Sequence, residues 1–178
     1  MSTHIDIPGY VAGTWTIDTV HSAVFFHARV LGVLTTRGTF DDFEGTIVTT
    51  ENPLDSSVNA VIRTASVNTR NKRRDRDLRK DGYLNVGQYP TMTFTSTGVR
   101  ADGDHFLIDG DLTVRAVRKP VTLTLEPKGF GIDGRPLARF TAHTELSRNE
   151  FGVTCGRSGP AISDKVRITL EVQASRQD

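Results

Sequence analysis

Apolar and polar residues alternate through most of the chain. Residues 106–114 read Phe-Leu-Ile-Asp-Gly-Asp-Leu-Thr-Val, and residues 166–172 read Val-Arg-Ile-Thr-Leu-Glu-Val. A period of two is typical of a β-strand with one buried face and one solvent face. The pattern predicts a fold made largely of half-buried strands, whose apolar face forms either a solid core or the wall of a chamber.

About eight strand-like stretches follow one another. In chain order they are 15–18 running after a short break into 21–30, then 38–48, 58–67, 91–96, 106–114, 121–125, 140–146 and 166–172. Uneven apolar spacing within 38–48 indicates a bulge near Asp41 and Asp42. Residues 102–104 and 133–134 carry the Asp-Gly pairs that are typical of hairpin turns. Many short strands separated by turns predict an all-β antiparallel barrel or sandwich.

Residues 71–81 are the exception to the strand pattern. They begin with Asn71, a favoured N-cap, and are polar on nearly every side except at Leu78. We therefore predict one short polar helix that lies across an end of the barrel. Residues 70–81 hold seven basic and three acidic side chains. Three interpretations of this surface are open: a solvated helix with ion pairs, a site for an anionic head group, and a nucleic-acid surface. A nucleic-acid surface has the least support, because no aromatic residues are interleaved with the charges.

Length, charge and composition limit the class of protein. A chain of 178 residues is most simply one domain, residues 1–178, with residues 1–13 as an N-terminal extension. A net charge of +1 gives no overall attraction to nucleic acid or anionic membranes. The first 15 residues lack the Lys or Arg and the apolar run of a signal peptide, and no stretch approaches the roughly 18 apolar residues of a membrane span. We expect a soluble, cytoplasmic protein with no nucleic-acid partner and no integral membrane segment.

Motifs for catalysis and metal binding are weak. The segment 156–159, Gly-Arg-Ser-Gly, lacks one spacer residue of the Gly-x-Ser-x-Gly elbow. The single cysteine, Cys155, cannot form an intramolecular disulfide, and nearby Arg157 is its only sign of reactivity. Histidines 21, 27 and 143 offer no short-spaced pair of metal ligands. We therefore predict no catalytic residues, no metal and no cofactor.

Short motifs spread along the chain share the order of a known family. They are Trp15-Thr16-Ile17-Asp18 with His21-Ser22 and Phe26, Gly38-Thr39-Phe40 with Phe43 and Gly45, Arg74-Asp75 with Leu78, Tyr83 and Leu84, Tyr89-Pro90 with Phe94, Gly110-Asp111-Leu112-Thr113 with Lys119-Pro120-Val121, Arg148 with Phe151-Gly152, and Ser163-Asp164 with Val166. Over residues 15–172 the chain thereby resembles the YceI-like family of polyisoprenoid-binding proteins. The resemblance implies an eight-stranded antiparallel lipocalin-like barrel whose interior takes up a long isoprenoid or similar lipid. Val30 and Asp77 stand where that family usually has His, and Ala116 where it commonly has Gly.

The resemblance, combined with the alternation, assigns a ligand site. The expected chamber wall consists of Phe26, Val30, Phe40, Phe43, Leu84, Met92, Phe94, Leu112, Phe140 and Phe151. Ordinary core packing is the alternative for each, since both uses require apolar side chains. Arg74, Asp77 and Arg148 are expected at the mouth, because a phosphate or amide head group needs a fixed polar partner.

The predicted function is therefore non-catalytic binding, storage or transport of a long-chain lipid. With about 0.8 kcal/mol per buried methylene and roughly 4–15 kcal/mol for immobilisation, micromolar binding needs roughly 15–29 methylenes, so only a long chain suffices. One alternative is a lipid isomerase or cyclase, with His21 near the cavity rim. The other is an interaction module that binds an acidic partner through residues 70–81 while the barrel is solid inside. Phe25, predicted to point outward, is the one indication of a homodimer.

Overall fold

The alternating stretches form strands in the computed structural model, which describes residues 7–131 and 136–177. The strands within these residues are β1 (Gly13–Ile17), β2 (Ala23–Val30), β3 (Leu34–Phe40), β4 (Phe43–Thr49), β5 (Ser57–Arg63), β6 (Val67–Asn68), β7 (Thr91–Asp102), β8 (His105–Val114), β9 (Val117–Phe130), β10 (Leu137–Ser147) and β11 (Ile162–Arg176). One α-helix, α1, spans Lys72–Leu78, and short 3₁₀ turns span Pro53–Asp55, Thr64–Ser66, Asn149–Phe151 and Gly156–Ala161.

The sheet closes on itself as an eight-stranded antiparallel barrel. β1 and β2 follow each other along the same edge of β11, β3 and β4 pair with β2 and β1, and β5 and β6 pair with β4 and β3. Each of these three pairs is one interrupted strand, and β7 to β11 complete the ring. The predicted all-β class and the eight-stranded lipocalin-like barrel are therefore confirmed.

The three interruptions lie side by side in the wall. Asp41 and Asp42 separate β3 from β4, next to the Thr64–Ser66 turn that separates β5 from β6. The Asp41 amide donates to the Ser66 carbonyl (3.2 Å), and the Arg63 amide donates to the Asp42 carbonyl (2.9 Å). The predicted bulge at these aspartates is thus a two-residue break, because both neighbouring strands also bend at this level.

The helix is shorter than the predicted span of 71–81. Its start is as expected, since the Asn71 side chain accepts a hydrogen bond from the Arg74 amide (3.0 Å). It ends at Leu78 because the next residues turn back on it, with the Leu84 amide donating to the Leu78 carbonyl (3.0 Å). Across the described ranges, no helix combines the length and the hydropathy of a membrane-spanning helix.

The predicted turn at residues 102–104 joins β7 to β8. Gly103 there has φ +59°, a left-handed conformation that glycine adopts without a Cβ penalty, and Asp102 pairs with His105 across the turn. The other predicted turn, residues 133–134, lies outside the described residues.

Two clusters of apolar residues occupy opposite ends of the barrel. The tryptophan end is built on Trp15, Ala138 and Ala174, with Ile47, Phe130 and Phe140 packed against them. The helix end lies under α1 and the 3₁₀ turns Asn149–Phe151 and Gly156–Ala161, and its buried residues include Val67, Met92, Val114 and Phe151. Between the two ends the interior is open.

Candidate functional site

The barrel encloses a cavity of about 690 Å³. Side chains from every barrel strand line it, and nearly all of them are apolar. Phe26, Leu112 and Leu170 face this interior yet are only half-buried, because empty space rather than another side chain lies beside them. The volume lies within the roughly 300–1,000 Å³ that is usual for small-molecule sites. The alternating apolar face is thus the wall of a chamber.

Two glycines in the wall help to keep the chamber open. A Cβ added to Gly38 would overlap the Phe26 ring, and one added to Gly110 would overlap the Phe94 ring. Each ring therefore occupies the place above a glycine where a side chain would stand. Because the two rings lie against the wall, they contribute apolar surface without filling the centre.

The tryptophan end is closed by dense apolar packing and one polar link. Trp15 is 1% exposed, and its indole Nε1 donates to the Thr49 hydroxyl (2.9 Å), which in turn donates to the Val11 carbonyl (2.9 Å). The Phe130 ring meets the indole edge-to-face at a centroid distance of 5.9 Å. Ala138 is 2% exposed, so no space remains on this side of the indole.

The helix end is held mainly by hydrogen bonds. The buried Asp75 carboxylate accepts bonds from the Thr69 amide (2.8 Å) and the Thr69 hydroxyl (2.5 Å). The Arg74 guanidinium donates to the same hydroxyl through Nε (2.9 Å) and to the Thr69 carbonyl through Nη2 (3.0 Å). Arg79 donates to the carbonyls of Ala65 and Val67. α1 is therefore fixed to the chain around β6 by its own arginines and Asp75, while Leu78 supplies its apolar contact with the core.

Arg148 is buried at the helix end, and every N–H of its guanidinium has an acceptor. These acceptors are four backbone carbonyls and one side-chain amide oxygen, belonging to Ser163 (3.0 Å), Val153 (2.8 Å), Gly159 (2.9 Å), Ile162 (2.8 Å) and Asn149 (3.3 Å). The side chain thus joins β10 to the turns before β11. It borders the cavity, and all five N–H donors of its guanidinium are already bound within the protein.

Two ionisable groups near Arg148 have shifted pKa values. The Ser147 hydroxyl (2.6 Å) and the Asn149 amide (3.0 Å) donate to the Asp164 carboxylate and hold its pKa below the usual range. Burial raises the pKa of the Cys155 thiol, and the positive charge of Arg148 only partly opposes this. The cysteine is therefore a neutral thiol in the wall, and Arg157 does not activate it.

All thirteen predicted site residues border the cavity. The wall residues are Phe26, Val30, Phe40, Phe43, Leu84, Met92, Phe94, Leu112, Phe140 and Phe151, and the polar ones are Arg74, Asp77 and Arg148. Their contact with a ligand stays a prediction. Thr69 and Arg115, which hold the helix end together, were not predicted; Arg115 donates to the Tyr83 carbonyl (2.9 Å) and lies over the Tyr89 ring.

The predicted place of His21 near the cavity rim is wrong. His21 lies in the exposed turn between β1 and β2, where its Nδ1 is 2.7 Å from an Asp18 carboxylate oxygen, and it does not border the cavity. Asp18 is part of the first strand break, and its amide donates to the Gln173 carbonyl of β11 (2.8 Å). Within residues 7–131 and 136–177, no group of three His, Cys, Asp or Glu side chains could hold a metal ion.

A closed eight-stranded antiparallel barrel with an apolar chamber belongs to the lipocalin-like class of folds. The sequence model of the YceI-like domain matches residues 15–174. The chain is 40% identical over 172 residues to Protein YceI of Escherichia coli O157:H7, covering 94% of this chain and 89% of that protein. Protein YceI of Salmonella arizonae matches to the same extent. The chain therefore belongs to the YceI-like family.

Solved structures share the fold. BcnA of Burkholderia cenocepacia superposes with a TM-score of 0.81 at 21% identity, covering 89% of this chain and 99% of BcnA. The YceI protein of Campylobacter jejuni gives a TM-score of 0.74 at 28% identity, covering 82% of this chain and 88% of that chain. A polyisoprenoid-binding domain from Saccharophagus degradans gives 0.70 at 17% identity, covering 92% and 98%.

Proposed function

We propose that this chain binds one long-chain lipid, a polyisoprenoid or a similar apolar chain, inside the barrel and stores or carries it unchanged. The observation that supports this most is the apolar cavity of about 690 Å³ that runs between the two ends of the barrel. Membership of the YceI-like family, and the likeness of the fold to a domain described as polyisoprenoid-binding, support the same ligand class.

The head group is proposed to lie at the helix end, beside Arg74 and Asp77. Both border the cavity, and they are the polar residues of α1 that remain half-buried there. The Nη1 donors of Arg74 have no acceptor among the described residues, whereas its Nε and Nη2 are bound to Thr69. A phosphate or amide oxygen would accept hydrogen bonds from these Nη1 donors. A charged donor forms stronger hydrogen bonds than a neutral one.

Binding without turnover is proposed because the cavity lining offers little for proton transfer. The lining includes no histidine within the described residues, and Ser158 lies in a 3₁₀ turn rather than in a strand-to-helix elbow. The alternative of a solid barrel that acts only through residues 70–81 conflicts with the open interior. Cytoplasmic location, a homodimer and the lack of a nucleic-acid partner stay predictions.

The direct test is to purify the protein without detergent, extract it with organic solvent and identify the extract by mass spectrometry. A stoichiometric long-chain species is expected, and an empty extract from protein that also fails to take up added polyprenol would contradict the proposal.

A second test uses matched variants of β8. They are Leu112→Gln, which faces the chamber, and Thr113→Gln, its neighbour on the outer face of β8. Because Leu112 borders empty space, its variant is expected to fold but to bind about tenfold more weakly, since a buried amide lacks partners.

Phe94→Asp tests the wall more severely. A charge beside an apolar chain is expected to abolish lipid uptake. Thr95→Asp, on the outer face of the same strand, controls for added charge. Uptake by a folded Phe94→Asp variant that equals the control would remove Phe94 from the binding wall.

A further inference from the structure

The hairpin between β2 and β3 exposes three large apolar side chains within four residues. Leu31, Val33 and Leu34 are 69%, 82% and 61% exposed. Residues 31–34, the hairpin tip, carry half of the large apolar residues that are exposed in the described chain; the others, Val11, Val20 and Val48, are scattered. Single exposed apolar residues are ordinary, but a contiguous group marks an interaction surface.

The hairpin tip projects from the barrel. β6 pairs with β3 only at Thr39 and Phe40, so the part of β3 that precedes them pairs with β2 alone. The Leu31 amide donates to the Ala161 carbonyl (2.7 Å), which fixes the tip beside the Gly156–Ala161 turn. The tip is therefore a convex, supported ribbon rather than a groove that would receive another chain.

Cations without carboxylate partners lie at the same end of the barrel as the tip. They are Arg29 and Arg37 on the hairpin, Lys72, Arg73 and Arg76 on α1, and Arg157 in the Gly156–Ala161 turn, and all six are exposed. No carboxylate of the described residues lies within 4.0 Å of any of them. Arg100 is paired with Asp109 and Lys128 with Glu126, whereas Lys119, Lys165 and Arg167 on β9 and β11 are exposed and, like the six, have no carboxylate of the described residues within 4.0 Å. The net charge of +1 therefore includes a local surplus of positive charge at the end of the barrel that carries α1.

This surface adjoins the helix end of the cavity. Val30 and Thr36, on either side of the tip, border the cavity, and so does Arg73 of the cationic set. A ligand that passes through this end would thus cross directly between the chamber and whatever the surface contacts.

We propose that the hairpin tip and these six cations form a docking surface for an anionic lipid bilayer. Leu31, Val33 and Leu34 insert among the head groups, and the cations bind lipid phosphates around them. A convex apolar tip at the same end of the barrel as a group of cations matches the layered chemistry of a bilayer surface, which presents negative charge above an apolar interior. A protein partner would have to supply both an apolar socket and an acidic rim of the same shape. The proposed function explains only why this surface adjoins the cavity; the docking itself rests on the exposed residues.

The test is cosedimentation of the full chain with phosphatidylcholine vesicles, with and without phosphatidylglycerol. The wild-type protein is expected to bind the phosphatidylglycerol vesicles, and added salt is expected to weaken this binding because it screens the phosphates. The variant Leu31→Ser/Val33→Ser/Leu34→Ser is expected to bind at least about tenfold more weakly, since it removes the inserted apolar area. Val11→Ser/Val20→Ser/Val48→Ser removes the same number of exposed apolar side chains outside the tip and is expected to bind like wild type.

The charge contribution has its own matched pair. Arg29→Gln/Lys72→Gln is expected to weaken vesicle binding about tenfold, and Arg100→Gln/Lys128→Gln, with the same change in net charge, is expected to have no effect. Equal losses in both pairs, or no binding of wild type to either vesicle, would overturn the proposal. A wild-type dimer that the tip variant converts to a monomer in light scattering, with no vesicle binding, would assign the tip to a second copy of this chain instead.

The outcomes separate this inference from the proposed function. Vesicle binding that depends on the tip, together with an empty chamber in the extraction experiment, would keep the docking surface and reject lipid storage. A stoichiometric lipid in protein that does not bind vesicles would support lipid storage and reject the docking surface.

Discussion

The two ends of the barrel are closed by different kinds of interaction. At the tryptophan end, Trp15 packs against Phe130 and two small residues, Ala138 and Ala174, that leave room for the indole. At the helix end, Asp75, Arg79 and Arg148 bind backbone groups, and α1 itself packs on the apolar core through Leu78. Apolar packing closes one end, whereas the other end is closed by hydrogen bonds that can be broken a few at a time. The comparison predicts that the proposed lipid passes through the helix end.

The largest expected effect is at the tryptophan end. Trp15→Ala should lower the free energy of unfolding by about 3–5 kcal/mol, because it leaves a cavity where the indole was and removes its hydrogen bond to Thr49. Urea unfolding measures the loss. Val20→Ala, 85% exposed, is the control and should change stability by less than about 0.5 kcal/mol. A small loss for Trp15→Ala would mean that this end is not closed by packing.

Arg148→Met should lower the free energy of unfolding by about 3 kcal/mol, because it leaves without a donor the buried carbonyls that now accept hydrogen bonds from the guanidinium. The same urea experiment applies, with Arg157→Met as a control of equal volume on an exposed side chain. A loss of stability no larger than that of the control would return Arg148 to a role at the mouth.

Asp75→Ala should cost about 1–2 kcal/mol and act locally, because it removes the acceptor of the buried Thr69 amide. Amide hydrogen exchange is expected to speed up across α1 while β8 and β9 keep their protection. Asp77→Ala, whose pair with Lys80 is exposed, serves as the comparison and should leave exchange in α1 nearly unchanged. Uniform loss of protection would show that the helix end does not open independently.

The smallest expected effect is a dependence on pH. The pKa of Asp164 is lowered in the fold, so its stabilisation is present above the unfolded value of about 3.8 and is lost as the pH falls through the lower folded value. Asp164→Asn should therefore be less stable than wild type at neutral pH by about 0.5 kcal/mol, and the difference should vanish in acid. A difference that grows as the pH falls would contradict the assigned hydrogen bonds.

The sequence predicts the inward-facing wall of the barrel better than the hydrogen bonds of the helix end. Alternation in 106–114 correctly gives the inward face of β8, with Phe106 and Ile108 buried, because a period of two follows from strand geometry alone. The arginines of the helix end are different. The family resemblance singles out Arg74 and Arg148 but not Arg79, and the acceptors of all three are backbone carbonyls that come close only in the folded chain.

The break at Asp41 and Asp42 shows an intermediate case. Uneven apolar spacing located the irregularity, but whether it is a bulge or a break depends on two neighbouring strands that bend at the same level. Local sequence therefore gives the position of such a feature, and tertiary pairing gives its form.

Trp15 is the one tryptophan of the chain, and its indole borders the bottom of the chamber. Its intrinsic fluorescence therefore reports how far a bound chain reaches toward this end of the barrel, and no added label is needed. An apolar chain with a bromine at its end, long enough to reach the closed end, would quench the indole by contact, whereas a shorter homologue bound near α1 would leave the emission unchanged. With a series of chain lengths, the Trp15 emission would give the length of chain that fills the barrel from α1 to the closed end.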